Sequence, residues 1–422
     1  MKLAKNKNEP VILSHPLSKT SHPFLPEIPP IQEYINQKKE IQALLLKYFD
    51  GPCFSNENFN ELIDFLKKQN ILTNRDELLA IMNLILAITS YKRYNSDILY
   101  KIDHIITYLQ DNIQTYFTNI KIYEIFRNCK AILRLLLNKQ ILKVDEKLSL
   151  ELYYKKNKNG TKYRHFFYPE IKPFLTADQS KEIEEELRKI DSDIFNETSF
   201  NEKRLEGQND FTICSLIRND SICEFVKYLC LSNIPVSSTI TPSFFETNLF
   251  LLNEKKTALI EYAAFFGSIK IFTYLTSKVT DFDKARIMKY AVYGGNIRMI
   301  QYLKNNEFFQ DDSLFVKMIK KSIKTYNDDL YEYFMNNMDH HPDYDDDDKI
   351  REANESFGFK YYNFSYINYQ DNEIMKYYTK ACKYNHLALV KLIIKENGID
   401  VNEVILGIST FFPHIETIED FF

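Results

Sequence analysis

The sequence predicts an all-α protein: a helical N-terminal domain followed by an array of degenerate helix-pair repeats. Three observations lead there. Only 9 of the 422 residues are glycine, against 32 Phe and 29 Tyr, so the positive-φ turns that hairpins require are in short supply. From Ile31 to about Ile190 apolar residues recur at helical spacing. One pattern also returns: Tyr262–Leu275 reads YAAFFGSIKIFTYL, Tyr290–Leu303 reads YAVYGGNIRMIQYL, and Ala381–Ile394 reads ACKYNHLALVKLII.

Along the chain, residues 1–30 hold prolines at 10, 16, 23, 26, 29 and 30, and are expected to form a disordered or extended leader. Met1–Thr20 has no apolar stretch longer than Val11–Leu13, so no secretory signal is expected. Residues 31–205 form the helical N-terminal domain. Its apolar stripes run through Ile31, Tyr34, Ile35, Leu45, Tyr48 and Phe49, then Phe59, Leu62, Ile63 and Leu66. Asn74 with Glu77 opens the next helix in the manner of a capping box, and Ser96 precedes Ile98, Ile102, Ile105 and Leu109. Thr176 with Gln179 opens a strongly charged helix through Ile183, Leu187 and Ile190.

Residues 206–422 form the array. In each strong copy, small residues (Ala263, Ala264, Ala291) let a first helix approach its neighbours, and Gly267 or Gly295 supplies the left-handed residue that ends it. Ser268, Asn296 and His386 stand where the second helix begins and are expected to cap it. Ile269, Phe272 and Leu275, like Ile297, Ile300 and Leu303, then give that helix one buried face. Such a unit cannot cover its apolar face alone, so stacking is required. Weaker copies run at 213–229 and at Ser322–Phe334, the latter without the alanines and the glycine. An acidic insertion is expected at 339–356. The tail, with Pro413 in the glycine place and Ile415, Ile418 and Phe421 on the stripe, is a final incomplete unit.

These residues resemble the ankyrin repeat, whose helix pair reads AAxxGHxxIVxxLL and whose turn reads GADVN. Asn397–Asn402, NGIDVN, is similar to that turn. The 28-residue spacing of the first two copies falls short of the usual period of about 33, and the TPLH opening is missing, its nearest approach being Thr257, Ala258, Leu259 and Ile260. Glu246, Thr247 and Asn248, then Thr257–Leu275, behind a helical region carrying EIKPF at Glu170–Phe174, resemble a large family of protozoan ankyrin proteins with a helical domain of unknown function. The resemblance implies an interaction role and supplies no catalytic residues.

A net charge of −4 gives no global pull toward nucleic acid or anionic lipid. The cysteines at 53, 129, 214, 223, 230 and 382 have no CxxC pairing and are expected to be free thiols in a reducing compartment. The longest apolar run, Leu78–Ile88, is too short for a membrane span, so the expected location is cytoplasmic or nuclear. Gly294 and Gly295 lack the third glycine and the preceding strand of a dinucleotide loop. Cys382 and His386 are expected as a core thiol and a helix-capping imidazole. His340, His341, Asp343 and Asp345–Asp348 lack the spaced carboxylates of a calcium loop. No catalytic residue, cofactor, metal or small-molecule substrate is therefore expected, and the partner-binding residues are not identified. The expected function is a protein-protein interaction scaffold. The alternative is a nucleic-acid or phosphoinositide adaptor through the basic-aromatic patch 153–167: Lys155, Lys156, Lys158, Lys162, Arg164 and His165 among Tyr153, Tyr154, Tyr163, Phe166 and Phe167.

Overall fold

Backbone hydrogen bonds are met mainly within helices, as a glycine-poor chain with 3.6-residue periodicity dictates. The computed structural model describes residues 30–398 apart from 53–55, 93–95, 159, 191–196, 309–311, 338–346 and 371–372. The expected leader, the acidic histidine cluster up to residue 346, the NGIDVN turn beyond Gly398 and the final incomplete unit lie outside the described residues. Among them are 23 α-helices and one two-stranded sheet. No described helix is long and apolar enough to cross a membrane.

The first part comprises α1 (Pro30–Asp50), α2 (Asn56–Lys68), α3 (Arg75–Thr89), α4 (Ser96–Tyr116), α5 (Asn119–Phe126), α6 (Lys130–Asn138), α7 (Glu146–Tyr154), α8 (Tyr163–Phe166), α9 (Tyr168–Ile171), α10 (Ala177–Ile190) and α11 (Glu197–Glu206). The side chain of Asn74 accepts from Asp76 N and Glu77 N at 2.9 and 3.2 Å, so Asn74 caps α3 as expected, while the Glu77 carboxylate binds Lys38 and does not complete a capping box. Thr176 and Gln179 satisfy each other's backbone N–H at 3.0 and 3.2 Å, a complete capping box.

The second part runs through α12 (Thr212–Arg218), α13 (Ile222–Leu231), β1 (Thr239–Ile240), α14 (Leu249–Asn253), β2 (Thr257–Ala258), α15 (Leu259–Phe266) and α16 (Ile269–Lys278). It continues with α17 (Lys284–Gly294), α18 (Ile297–Asn305), α19 (Asp312–Thr325), α20 (Asp328–Asn336), α21 (Asp347–Tyr361), α22 (Ile374–Lys383) and α23 (Leu387–Asn397). Strands β1 and β2 pair antiparallel, Thr239 opposite Ala258. The first helices α12, α15, α17, α19, α21 and α22 pack side by side in that order.

Six corners share one geometry. Asp220, Gly267, Gly295, Tyr326, Tyr362 and Asn385 all have φ between 49° and 72°, and each is followed by a polar residue: Ser221, Ser268, Asn296, Asn327, Asn363 and His386. In five of the six the N–H of that polar residue donates to the carbonyl five residues back, on Leu216, Ala263, Ser322, Gly358 and Ala381. This is the closure that lets a helix end inside a packed stack. Ser322 and Gly358 thus fill the alanine place in the units where the sequence shows none. The capping expectation holds for Asn296, which accepts from Met299 N at 3.1 Å, and fails for Ser268 and His386. Those two side chains turn away from their own helix and bond the preceding unit instead: Ser268 Oγ donates to Ile217 O at 2.5 Å and His386 Nε2 to Phe359 O at 2.7 Å. Asn363 Nδ2 does the same to Ile323 O at 2.9 Å. The start of α16 is capped from that unit, by Asp220 accepting from Lys270 N and Ile271 N.

Two boundaries read from sequence need correction. The stretch 339–356 is not wholly an insertion: from Asp347 it is α21, with Asn354 and Glu355 buried against neighbouring helices. Its charges hid a first helix whose inward residues are Glu355, Gly358 and Phe359. The division at 205/206 is also not a division of the core. One apolar core joins the first part to Phe364, Tyr377, Cys382, Leu389 and Ile393 at the far end, and a second holds the middle units from Ile213 to Phe334. Helix α23 packs on α1 and α3. Gln42 of α1 donates to Asn363 Oδ1 at 2.7 Å and to Ser365 Oγ at 2.9 Å, and its Oε1 accepts from Phe364 N at 2.7 Å.

Candidate interaction surface

Among the first helices, α17 and α19 carry side chains that meet Tyr91 of the first part. On α19 the residues Lys317, Lys320, Lys321 and Lys324 fall at i, i+3, i+4 and i+7, which places four ammonium groups along one face of the helix. Lys289 on α17, Lys360 on α21 and Lys158 from the loop between α7 and α8 add to the same positive field. Burial, then repulsion from Lys289, Lys317, Lys320 and Lys324, brings Lys321 down to about 8. Burial, then Lys360, Lys158 and Lys289, brings Lys324 down to about 8 as well. Among the described residues only Lys289 of this group has a carboxylate partner, Glu254 at 2.5 Å.

Aromatic rings line the face. Tyr91, just after α3, lies with its ring centroid 5.6 Å from that of Tyr293 on α17. The Lys324 ammonium sits 4.5 Å from the ring of Tyr91, 5.6 Å from Tyr293 and 5.4 Å from Tyr361. Lys320 lies 4.4 Å over Phe357. Cations of this kind are stabilised by ring faces even where no carboxylate reaches them. A small hollow beside them, between α19 and α21, is lined by Val316, Ile319, Ile350, Ala353 and Phe357.

The patch 153–167 is placed differently from what its composition suggests. Tyr153, Tyr163, Arg164, His165, Phe166 and Phe167 are buried, because α8 is packed beneath α10 and its cations meet the carboxylates of that helix. Arg164 pairs with Glu182 and Glu186 at 2.7 and 2.8 Å, Lys162 with Glu186 at 2.5 Å, and His165 Nε2 with Glu186 at 2.7 Å. Burial opposes ionisation of Glu186, yet hydrogen bonds from Lys162, His165 and Arg164 hold it down to about 2. Lys155 bonds Asn128, so of the described basic and aromatic side chains of the patch Tyr154, Lys156 and Lys158 remain exposed. Lys158 belongs with the α19 lysines.

The remaining sequence-predicted residues have packing roles. Burial pushes the Cys382 thiol up to about 11 and the His386 imidazole down to about 4, so neither forms an ion pair at neutral pH. His386 stacks on Tyr362 with centroids 4.1 Å apart. Gly295 is a left-handed corner, and Gly294 allows close approach: a Cβ there would lie 1.9 Å from Phe265 O. Among the described residues no group of three His, Cys, Asp or Glu could hold a metal ion.

The lysine face has a signal in the sequence that composition alone does not single out. In SLFVKMIKKSIKT four lysines share one helical face with no acid among them. Compared with known proteins, the chain matches no family model, no curated protein and no solved structure.

Proposed function

We propose that this chain is a non-catalytic interaction module: an ankyrin-type stack of helix pairs, tied at both ends to a helical domain, that binds a protein partner. The observation carrying this reading is the recurrence of one corner geometry at Asp220, Gly267, Gly295, Tyr326, Tyr362 and Asn385. It is joined by side-chain bonds from one unit to the carbonyl three residues before the previous corner, at Ser268, Asn363 and His386. Repetition of that kind builds an extended, rigid surface from short elements, which suits recognition by many side chains at once. Departures from a regular ankyrin array fit the same reading, since the corners are 28, 31, 36 and 23 residues apart from Gly267 onward (295−267, 326−295, 362−326, 385−362).

The adaptor alternative through 153–167 draws little support, because the α10 carboxylates neutralise Lys162 and Arg164 and burial keeps His165 uncharged at neutral pH. Affinity capture with the full chain, followed by titration of each recovered protein, tests the proposal. It expects a saturable complex of fixed stoichiometry with a folded partner and no turnover of it. Failure of several independently tagged full-length baits to recover any common protein would overturn it.

A further inference from the structure

The geometry points to an acidic, partly apolar segment of a protein partner as the occupant of the lysine face of α19. This rests on the interaction reading above and names the chemistry of its partner. Elsewhere buried lysines are met by backbone carbonyls, as Lys101 and Lys130 are, and clustered cations by carboxylates: Arg164 has Glu182 and Glu186, Arg286 has Glu254 and Glu261, and Lys376 and Lys380 share Glu355. On the lysine face Lys317, Lys320, Lys321, Lys324, Lys360 and Lys158 have no carboxylate among the described residues, and they repel one another. Among the described acids of α21, Glu352 and Glu355 reach toward Lys376 and Lys380 on α22 instead. A ligand bearing several negative charges gains attraction at each ammonium and removes that repulsion.

The shape of the field selects among anions. The four α19 lysines are strung over about 10 Å of helix, which matches carboxylates spaced along a peptide better than one compact phosphate. Every cation in the cluster is lysine, with no guanidinium fork for bidentate phosphate recognition. Single-stranded nucleic acid needs free ring faces on which bases stack. Here Tyr91 packs on Tyr293 and Tyr361 on Phe357, and Lys324 lies against Tyr91, Tyr293 and Tyr361. The hollow between α19 and α21, apolar at Val316, Ile319 and Phe357, is placed to accept a side chain from a segment lying across Lys320.

The probe is a fluorescently labelled peptide of glutamates interspersed with leucines, titrated with the full chain and read by anisotropy. A single-stranded oligonucleotide of equal charge and vesicles containing anionic lipid serve as comparisons. Two exposed lysines are reversed in K317E/K320E, and K255E/K256E makes the same charge change on the exposed turn before β2. Far-ultraviolet circular dichroism establishes that both variants fold. Peptide affinity is expected to fall about tenfold in K317E/K320E and to stay within about twofold in K255E/K256E. It should weaken as pH rises through about 8, where Lys321 and Lys324 lose their protons. Equal binding by both variants, no peptide binding at all, or tighter binding of oligonucleotide or vesicle than of peptide would each overturn the assignment. A captured partner that binds K317E/K320E as it binds the wild type would overturn this assignment alone and leave the interaction reading intact.

Discussion

Replacing Gly294 by alanine tests the close stacking of first helices directly. A Cβ at that position would stand 1.9 Å from Phe265 O, 2.7 Å from Phe265 C and 3.0 Å from Phe265 Cα. An ordinary carbon–oxygen contact is about 3.3 Å, so α17 must retreat from α15 by roughly 1.4 Å. The obstacle is backbone, which no rotamer change can clear. A gap of that size across buried Ala263, Ala264, Tyr290 and Ala291 forfeits a large share of their dispersion contacts, and overpacking costs about 1–3 kcal/mol. The upper end applies here, offset by about 0.5–1 kcal/mol because alanine favours helix over glycine. The expected net loss is about 2 kcal/mol. The chain has no Trp, so urea unfolding should be followed by far-ultraviolet circular dichroism, the loss appearing as a lower midpoint at unchanged slope. Glycine 160, with φ +87° and no atom near its Cβ position, is the control: G160A carries backbone strain of about 1 kcal/mol without any clash. If G294A is neutral or stabilising, α15 and α17 do not approach as described.

Three other perturbations are expected to be measurable. Asparagine should replace His386 within about 1 kcal/mol, since Asn363 makes the equivalent bond, whereas His386→Leu orphans Phe359 O and should cost about 1–3 kcal/mol by urea unfolding. Burial lowers the folded pKa of His386 to about 4, below the ordinary value near 6.5. Its neutral form is therefore favoured by folding, and the wild type should lose stability as pH falls from about 6.5 toward 4, a slope that His386→Asn removes. Glu186→Gln should cost about 2 kcal/mol by leaving buried Arg164 and His165 underpaired. The Glu186 contribution is present above about 4.5 and lost as pH falls through about 2, so the two proteins should converge in acid. Gln42→Leu, which leaves Phe364 N and Asn363 Oδ1 without their partner, should cost about 2–4 kcal/mol and raise hydrogen exchange in α23 before α17.

The strong copies were legible because alanine and glycine carry the steric requirements of a corner in their own chemistry. Gly267, Gly295 and Asn385 sit at equivalent places, as YAAFFG, YAVYGG and ACKYN suggest. Tyr326 and Tyr362 occupy the same left-handed conformation with side chains that disfavour it, so residue type gave no warning. Their hydroxyls bond Tyr361 O and Asn385 O at 2.6 and 2.7 Å, which offsets the strain. Helix α21 was hidden by the charges at its start, although FGFKYYNF carries the small residue and the corner asparagine in register. The basic-aromatic patch misled because local composition cannot show that Glu182 and Glu186, from another helix, lie over it. The lysine face of α19 was visible as spacing, but its neighbours Lys289, Lys360 and Lys158 come together only in three dimensions.

The seat of α1 against α23 and the Phe364 turn has a consequence for how the protein is made. Emerging from the ribosome, α1 meets the surface that buries Gln42 only after some 320 further residues have been synthesised. Its apolar side must meanwhile be sheltered by α2, α3 and α4 or by a chaperone, and the docking of α1 on α23 is expected to come after growth of the stack.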